Sequence, residues 1–289
     1  MQRPGFLGRP MLEQPPRPGA PSGPSWAGSL AAQVTSVPWR YALMHDRHED
    51  LLIWLTRGQG RALIEGASRG LSVHCALFIP AGTLFSLELF QGTQGLMVQT
   101  PAGGFAPLPS EALMLRVRRA QDQAELTGLL DNLLRENAPD DPLRVQAFEA
   151  HLNLLAIWLL RSAQTQMAET PHPGARRRLV ARYGRALVRD YHSPRKMGDY
   201  ARALDVTPTH LTRSCRACLG LSAADMLAQR KLHAARLALE KPRPSIADVS
   251  KALGFSSQAQ FARFVQNHTD RTPSALRASA GQGADKTDR

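Results

Sequence analysis

The chain has only three cysteines in 289 residues, Cys75, Cys215 and Cys218. An odd, low count builds no disulfide framework and suits a reducing compartment, so a cytoplasmic protein is expected. Long apolar runs are also missing. The best stretch, residues 152–160, is interrupted by Asn153, ends at Arg161 and falls short of the roughly 20 residues a bilayer needs, so no membrane partner is expected. Residues 1–24 hold seven prolines and four glycines and no continuous apolar segment, which reads as a disordered tail rather than a secretory signal. There is no glycine-rich phosphate loop, no H-E-x-x-H and no nucleophile elbow, so neither an enzyme nor a cofactor is expected.

Acidic residues are scarce in one half only. Residues 172–289 carry 22 basic and 9 acidic side chains, a net +13, whereas residues 1–171 carry 14 and 15, a net −1. The whole excess of +12 lies in the C-terminal part, which points to a polyanion partner for that part alone. The competing reading is a basic surface kept for solubility. Hydrophobic residues make up 43% of the chain, enough for real cores, and the length suits two domains.

Short apolar runs recur at residues 39–43, 51–56, 61–64, 76–80, 84–90 and 95–99, divided by glycine-containing breaks such as Arg57-Gly58-Gln59-Gly60 and Pro80-Ala81-Gly82. That spacing predicts an all-β sandwich or barrel. Beyond Pro109 the pattern turns helical, over 112–120 and 122–136. Pro142 then opens an amphipathic run, 143–166, with Leu152, Leu155, Ala156 and Leu159 on one face. Pro171-His172-Pro173-Gly174 marks a boundary.

From Ala175 onward everything reads as helix, and one pattern occurs twice. Met197, Tyr200, Ala201 and Leu204 form the first copy; Ile246, Val249, Ser250 and Leu253 form the second, 49 residues later. Each has the i, i+3, i+4, i+7 spacing of a helix with one buried face, and each leads through a short turn into another helix. Thr207-Pro208 is an N-cap followed by a first-turn proline, and Ser245 with Asp248 forms a capping box. Two copies are too few to stack as a solenoid. Two helix-turn-helix units joined by a helix over 223–239 account for them better.

The last hundred residues resemble the AraC/XylS family of bacterial transcription regulators. The likeness rests on Ile246-Ala247-Asp248-Val249-Ser250-Lys251-Ala252-Leu253-Gly254-Phe255, on Phe261-Ala262-Arg263 and on Thr272-Pro273-Ser274-Ala275-Leu276-Arg277. In the first unit it rests on His210-Leu211-Thr212-Arg213, Leu219-Gly220-Leu221-Ser222 and Lys231-Leu232 with Ala235. Departures are Asp270 where the family usually has glycine, Ala223 for proline and Cys215 for an aromatic. Trp54 to Gly60 and Leu77 to Thr83 resemble the family's cupin-like sensor domain. The resemblance implies an α+β protein. A disordered tail (1–27) would precede a cupin-like β-barrel that senses an effector (28–112). A helical linker and dimerisation segment (113–172), an all-α domain with two helix-turn-helix units (173–280) and a second tail (281–289) would follow. It also implies a homodimeric activator that binds promoter DNA, answers to a small molecule and works on RNA polymerase. The wording around 210–216 and 222–236 is most similar to regulators of aromatic-acid catabolism, which implies an aromatic acid as effector.

A recognition helix reads base edges in the major groove, and two units in one chain should read segments about 10 bp apart. The first candidate helix offers Thr209, Thr212, Arg213 and Arg216, the second Gln258, Gln260 and Arg263. By resemblance Thr209, Thr212, Arg213, Gln258 and Arg263 occupy base-reading positions. Thr207, Ser256 and Ser257 stand where they can contact phosphate or simply cap their helices. The competing reading for all of these is an ordinary solvated helix face. Trp54, Phe78 and Phe85 are candidates to line an effector pocket, against the alternative that they are core. Cys215-Arg216-Ala217-Cys218 lies within a helix, lacks a second ligand pair and is read as structural. His45-Asp46-Arg47-His48-Glu49 is similar to half of the metal site of enzymatic cupins. The second half needs a histidine after Gly82, and Leu84-Phe85 stands there instead, so no metal is expected. The alternatives are a cupin-type enzyme fused to a DNA-binding module and a regulator whose β domain is only structural.

Overall fold

The computed structural model describes residues 25–103, 107–136, 142–165 and 174–284. The tail expected over 1–24, most of the boundary over 171–174 and the last five residues lie outside them. The first strand, β1 (Trp26–Ser29), already pairs with the sheet, so the N-terminal domain begins earlier than residue 28. Two short helices follow, α1 (Leu30–Ser36) and α2 (Trp39–Ala42), then β2 (Glu49–Arg57), β3 (Gly60–Ile64), β4 (Ala67–Leu71), β5 (Cys75–Ile79), β6 (Phe85–Leu89), β7 (Gln94–Pro101) and β8 (Leu113–Arg116). Two readings of the sequence are corrected here. Residues 39–43 form a helical turn because Pro38, itself helical at φ −56°, starts one. Residues 113–116 form an edge strand on β5, because so short an apolar run carries no periodicity to separate strand from helix.

The strands form two antiparallel sheets, ordered β1-β7-β2-β5-β8 and β4-β3-β6. The expected closed barrel is therefore replaced by two open sheets packed face to face. Alternating burial looks the same in a sandwich and in a barrel, so the sequence does not decide between them. Leu51, Ile53 and Leu55 of β2, Leu77 and Ile79 of β5 and Phe85 and Leu87 of β6 fill the space between the sheets. Leu52, Trp54, Ala76 and Phe78 point the other way, against α3 (Ala120–Arg135) and α4 (Arg144–Gln164). Both faces of β2 and β5 are covered, which is why these strands read as continuous apolar runs.

The C-terminal domain is all helical: α5 (Ala175–Asp190), α6 (Met197–Ala203), α7 (Pro208–Leu219), α8 (Ala223–Glu240), α9 (Ile246–Ala252), α10 (Gln258–Thr269) and α11 (Pro273–Ala284). It packs on the outer face of the three-stranded sheet, where Met44, Leu63 and Leu84 share one cluster with Leu179, Val180 and Tyr183 of α5. The seam is close. A Cβ on Gly66 would stand 2.6 Å from the carbonyl oxygen of Arg177. Among the described residues no helix is long and apolar enough to cross a membrane.

Candidate nucleic-acid interface

The two repeated patterns fold into local structures with matching turn hydrogen bonds. In the first unit the N–H of Asp205 donates to Arg202 O at 3.1 Å and that of Val206 to Ala201 O at 3.0 Å. In the second, Gly254 donates to Lys251 O and Phe255 to Ser250 O, both at 3.1 Å. The second turn then runs one residue longer, through Ser256 and Ser257, before α10 begins at Gln258. Leu211 and Phe261 therefore occupy matching buried positions, as do Cys215 and Val265. Both helices end on a left-handed residue, Gly220 at φ 77° and Asp270 at φ 54°, whose N–H caps the carbonyl four residues back at 2.9 Å. Aspartate fills the role usually given to glycine because its short polar side chain tolerates that conformation.

α8 joins the two units. Its N-terminal half, through Ala223 and Met226, belongs to the core of the first unit, and its C-terminal half, through Ala235 and Leu239, to that of the second. Eighteen residues of helix make a spacer of about 27 Å. Lys231 pins the spacer to both units: its Nζ donates to Ser193 O at 3.3 Å and to Leu253 O at 2.9 Å, and burial lowers its pKa. The sequence reading passed over this tie, because a lysine mid-helix normally signals a solvated face.

The candidate base-reading side chains lie on the outer faces of α7 and α10. Pro208, Thr209, Thr212, Arg213 and Arg216 line one open depression of ≈ 460 Å³. Arg213 and Arg263 fall at equivalent positions in the two helices, are exposed, and have no hydrogen bond or ion pair among the described residues. Gln258 is also exposed, at the first position of α10. Gln260 is partly committed: its Oε1 accepts from the N–H of Ser256 at 3.0 Å and its hydroxyl at 2.9 Å, leaving only the side-chain amide N–H groups to face outward. Thr207 and Ser257 are N-caps, accepting from the N–H of His210 and of Gln260, each at 3.1 Å. Their hydroxyl hydrogens stay available to a phosphate.

The expected effector pocket is not assembled. Trp54 and Phe78 pack between the five-stranded sheet and α3 and α4, while Phe85 lies between the two sheets. Trp54 and Phe78 share the outer face of the five-stranded sheet, whereas Phe85 belongs to the other sheet and takes its inner face. Trp54 Nε1 is buried without a hydrogen-bond partner. Cys215 is buried in the first unit's core, where burial pushes its thiol up to about 12, so it is held as a neutral thiol. Among the described residues no group of three or more histidine, cysteine or acidic side chains is placed to hold a metal.

Two capped helix-turn-helix units on one pinned spacer, with a free arginine at the same place on each second helix, define a double helix-turn-helix domain. Residues 200–279 match the family model described as "Helix-turn-helix domain". The Msm operon regulatory protein of Streptococcus mutans is 29% identical over 87 residues, 30% of this chain and 31% of that protein. The chain thus matches about a third of the length of that curated relative. Among solved structures, a Chromobacterium violaceum transcriptional regulator with an AraC-type DNA-binding domain is 30% identical over 30% of this chain and 79% of that one, at a TM-score of 0.28. Unsaturated fatty acid-bound ToxT from Vibrio cholerae is 10% identical over 88% of this chain and 95% of that one, at a TM-score of 0.41. Residues 200–279 of this chain thus form a helix-turn-helix domain.

Proposed function

We propose that the protein is a sequence-specific DNA-binding transcription regulator, an activator that works on RNA polymerase. Its two recognition helices read successive major-groove segments about 10 bp apart. The observation that carries the reading is the pair Arg213 and Arg263, equivalent in position, exposed and unpaired, on helices held apart by one pinned spacer. Arginine pairs bidentately with guanine, worth about 1–3 kcal/mol of discrimination per contact. Thr209, Thr212, Arg216 and Gln258 add contacts beside them, while Thr207 and Ser257 take phosphates, and Ser256 reaches one by exchanging its bonds to Gln260 Oε1 for a phosphate oxygen. The net +13 of residues 172–289 supplies the non-specific attraction.

The reading includes a homodimer, on a different face from the one the sequence suggests. Leu152, Leu155 and Leu159 are buried against the chain's own sheet. The outward side of α4 and its cap instead exposes Leu143, Ala150, Leu154 and Ile157, which with half-buried Ala147 follow the alternating four-and-three spacing of a coiled-coil seam. A second copy of the same helix is the occupant that spacing fits. The N-terminal domain takes a small effector, with aromatic acids the first class to test.

The test is a pull-down of genomic DNA fragments at near-physiological salt followed by sequencing. Enrichment of a motif with two blocks about one helical turn apart is the expected result. Salt-labile capture without any motif would leave only a generic polyanion binder. A shift in melting temperature with benzoate-type acids, against aliphatic acids of equal charge, tests the effector class.

A further inference from the structure

Midway along α8, between its two halves, a cluster of ionisable side chains is buried where the spacer meets the N-terminal domain. Arg230 Nε donates to Asp46 Oδ1 at 2.5 Å, with both side chains 7% exposed, and the same guanidinium lies 3.6 Å over the ring of Tyr191. Beside this pair the rings of His45 and His233 stack, one from each domain, at 4.4 Å and 15°. His45 also packs on Phe85, and His233 meets the edge of Trp39, which Arg236 covers at 4.1 Å.

The hydrogen bonds decide the tautomer of each neutral ring. His45 Nδ1 lies 2.8 Å from Leu43 O and His233 Nε2 lies 3.0 Å from Arg40 O. A carbonyl can only accept, so each of these nitrogens carries the hydrogen, and in the neutral ring the other nitrogen bears a lone pair. Those two atoms, His45 Nε2 and His233 Nδ1, are buried and have no donor. They are the places where protons would add, and each proton would bring a positive charge against a stacked ring that can carry another. Four arginines and three carboxylates surround the rings, a net charge of +1. Arg40, Arg47, Asp46 and Glu49 come from the N-terminal domain, and Arg230, Arg236 and Glu240 from α8. Tyr41 and Tyr191 present their rings. Arg40 pairs with Glu240 at 2.5 Å and Arg47 lies 3.6 Å from Glu49, so the two extra carboxylates are already engaged.

We propose that this seam is an acid-released latch: neutral His45 and His233 let the spacer helix dock on the N-terminal domain, and their protonation drives it off. The inference stands apart from the DNA-binding reading, because docking is measured directly. Burial, opposed by one backbone hydrogen bond, lowers His45 to about 3, and burial with its charged neighbours lowers His233 to about 2. The undocked rings return toward 6.5. A base whose pKa is depressed on docking favours docking above the undocked value, and the contribution drains away as pH falls from 6.5 toward 3. Each histidine weakens docking about tenfold per pH unit in that window, so the pair weakens it about a hundredfold between pH 7.5 and 5.5. That span covers ordinary cellular acidification, where histidine is the side chain suited to act.

The experiment is amide exchange by mass spectrometry on the full chain, corrected for the intrinsic pH dependence of exchange. It follows α2 to Arg47, where the N–H of Met44 donates across the seam to Gln229 Oε1 at 3.2 Å, with α3 and α4 as the internal folding control. The expected result is protection falling about a hundredfold from pH 7.5 to 5.5 over the seam while α3 and α4 hold. In His233→Gln, which keeps an N–H for Arg40 O but takes no proton, the fall should be about tenfold, and in H45Q/H233Q it should vanish. Asp46→Asn, which strands Arg230, should expose the seam at both pH values. Protection that ignores pH in the wild type, or falls equally in H45Q/H233Q, overturns the latch. Loss of protection in α3 and α4 together with the seam shows global acid unfolding and overturns it as well.

Discussion

Asp205 and Gly254 hold the same left-handed position in two turns 49 residues apart, at φ 58° and 73°. Their surroundings differ. A Cβ on Gly254 would stand 2.5 Å from the carbonyl carbon and oxygen of Ser193, so the second turn closes against the chain leaving α5 and tolerates no side chain. Gly254→Ala should lower the melting temperature by on the order of 5–10 °C, while Asp205→Gly should be neutral or slightly stabilising. A Gly254→Ala loss of only about 1–2 kcal/mol, the cost of a left-handed alanine, would show that backbone conformation alone, not the approach of Ser193, sets the cost.

Tyr183 joins the scaffold helix to the spacer. It is fully buried, and its hydroxyl donates to Ala223 O at 2.7 Å. Burial raises its pKa well above 10, which keeps it a neutral donor. Tyr183→Phe strands the carbonyl and should cost about 1–3 kcal/mol, read as a lower urea midpoint at unchanged m-value. A cost near zero would mean that water or a backbone shift satisfies Ala223.

Arg213→Ala and Arg263→Ala should each lose about 1–3 kcal/mol of binding to the enriched motif and much less to random DNA. The lysine variants should not restore the loss, because a point charge cannot make the paired contact. Equal losses on both DNAs, with a shallower salt slope, would reassign the two arginines to phosphate.

Leu154→Glu with Ile157→Glu on the outward side of α4 should convert a dimer to a folded monomer in sedimentation at micromolar concentration. Leu155→Glu, by contrast, should unfold the domain, since Leu155 is 1% exposed in the helix-sheet core. A wild-type chain that sediments as a monomer would remove the dimer from the proposed function.

The helical half was legible because its signals are local. Ser245 with Asp248, Thr207-Pro208 and the buried positions Leu211, Cys215, Phe261 and Val265 lie within one or two turns of one another, and the structure realises each. The β half was legible only as β. Alternation told which side chains share a face of β2, but not that one face meets helices and the other a second sheet. Trp54 and Phe85 were therefore grouped across two separate cores.

By itself the sequence determined that the C-terminal part is basic, helical and twofold repeated, because helix periodicity, caps and turns are contacts between near neighbours. Only the tertiary structure decided that Asp46 meets Arg230 and that His45 stacks on His233. It also decided that Lys231 pins two units at once and that the exposed side of α4 is the line through Leu154 rather than Leu155. Pairs separated by well over a hundred residues leave no periodic trace, and a buried charge becomes recognisable only when the partner that offsets its desolvation is in place.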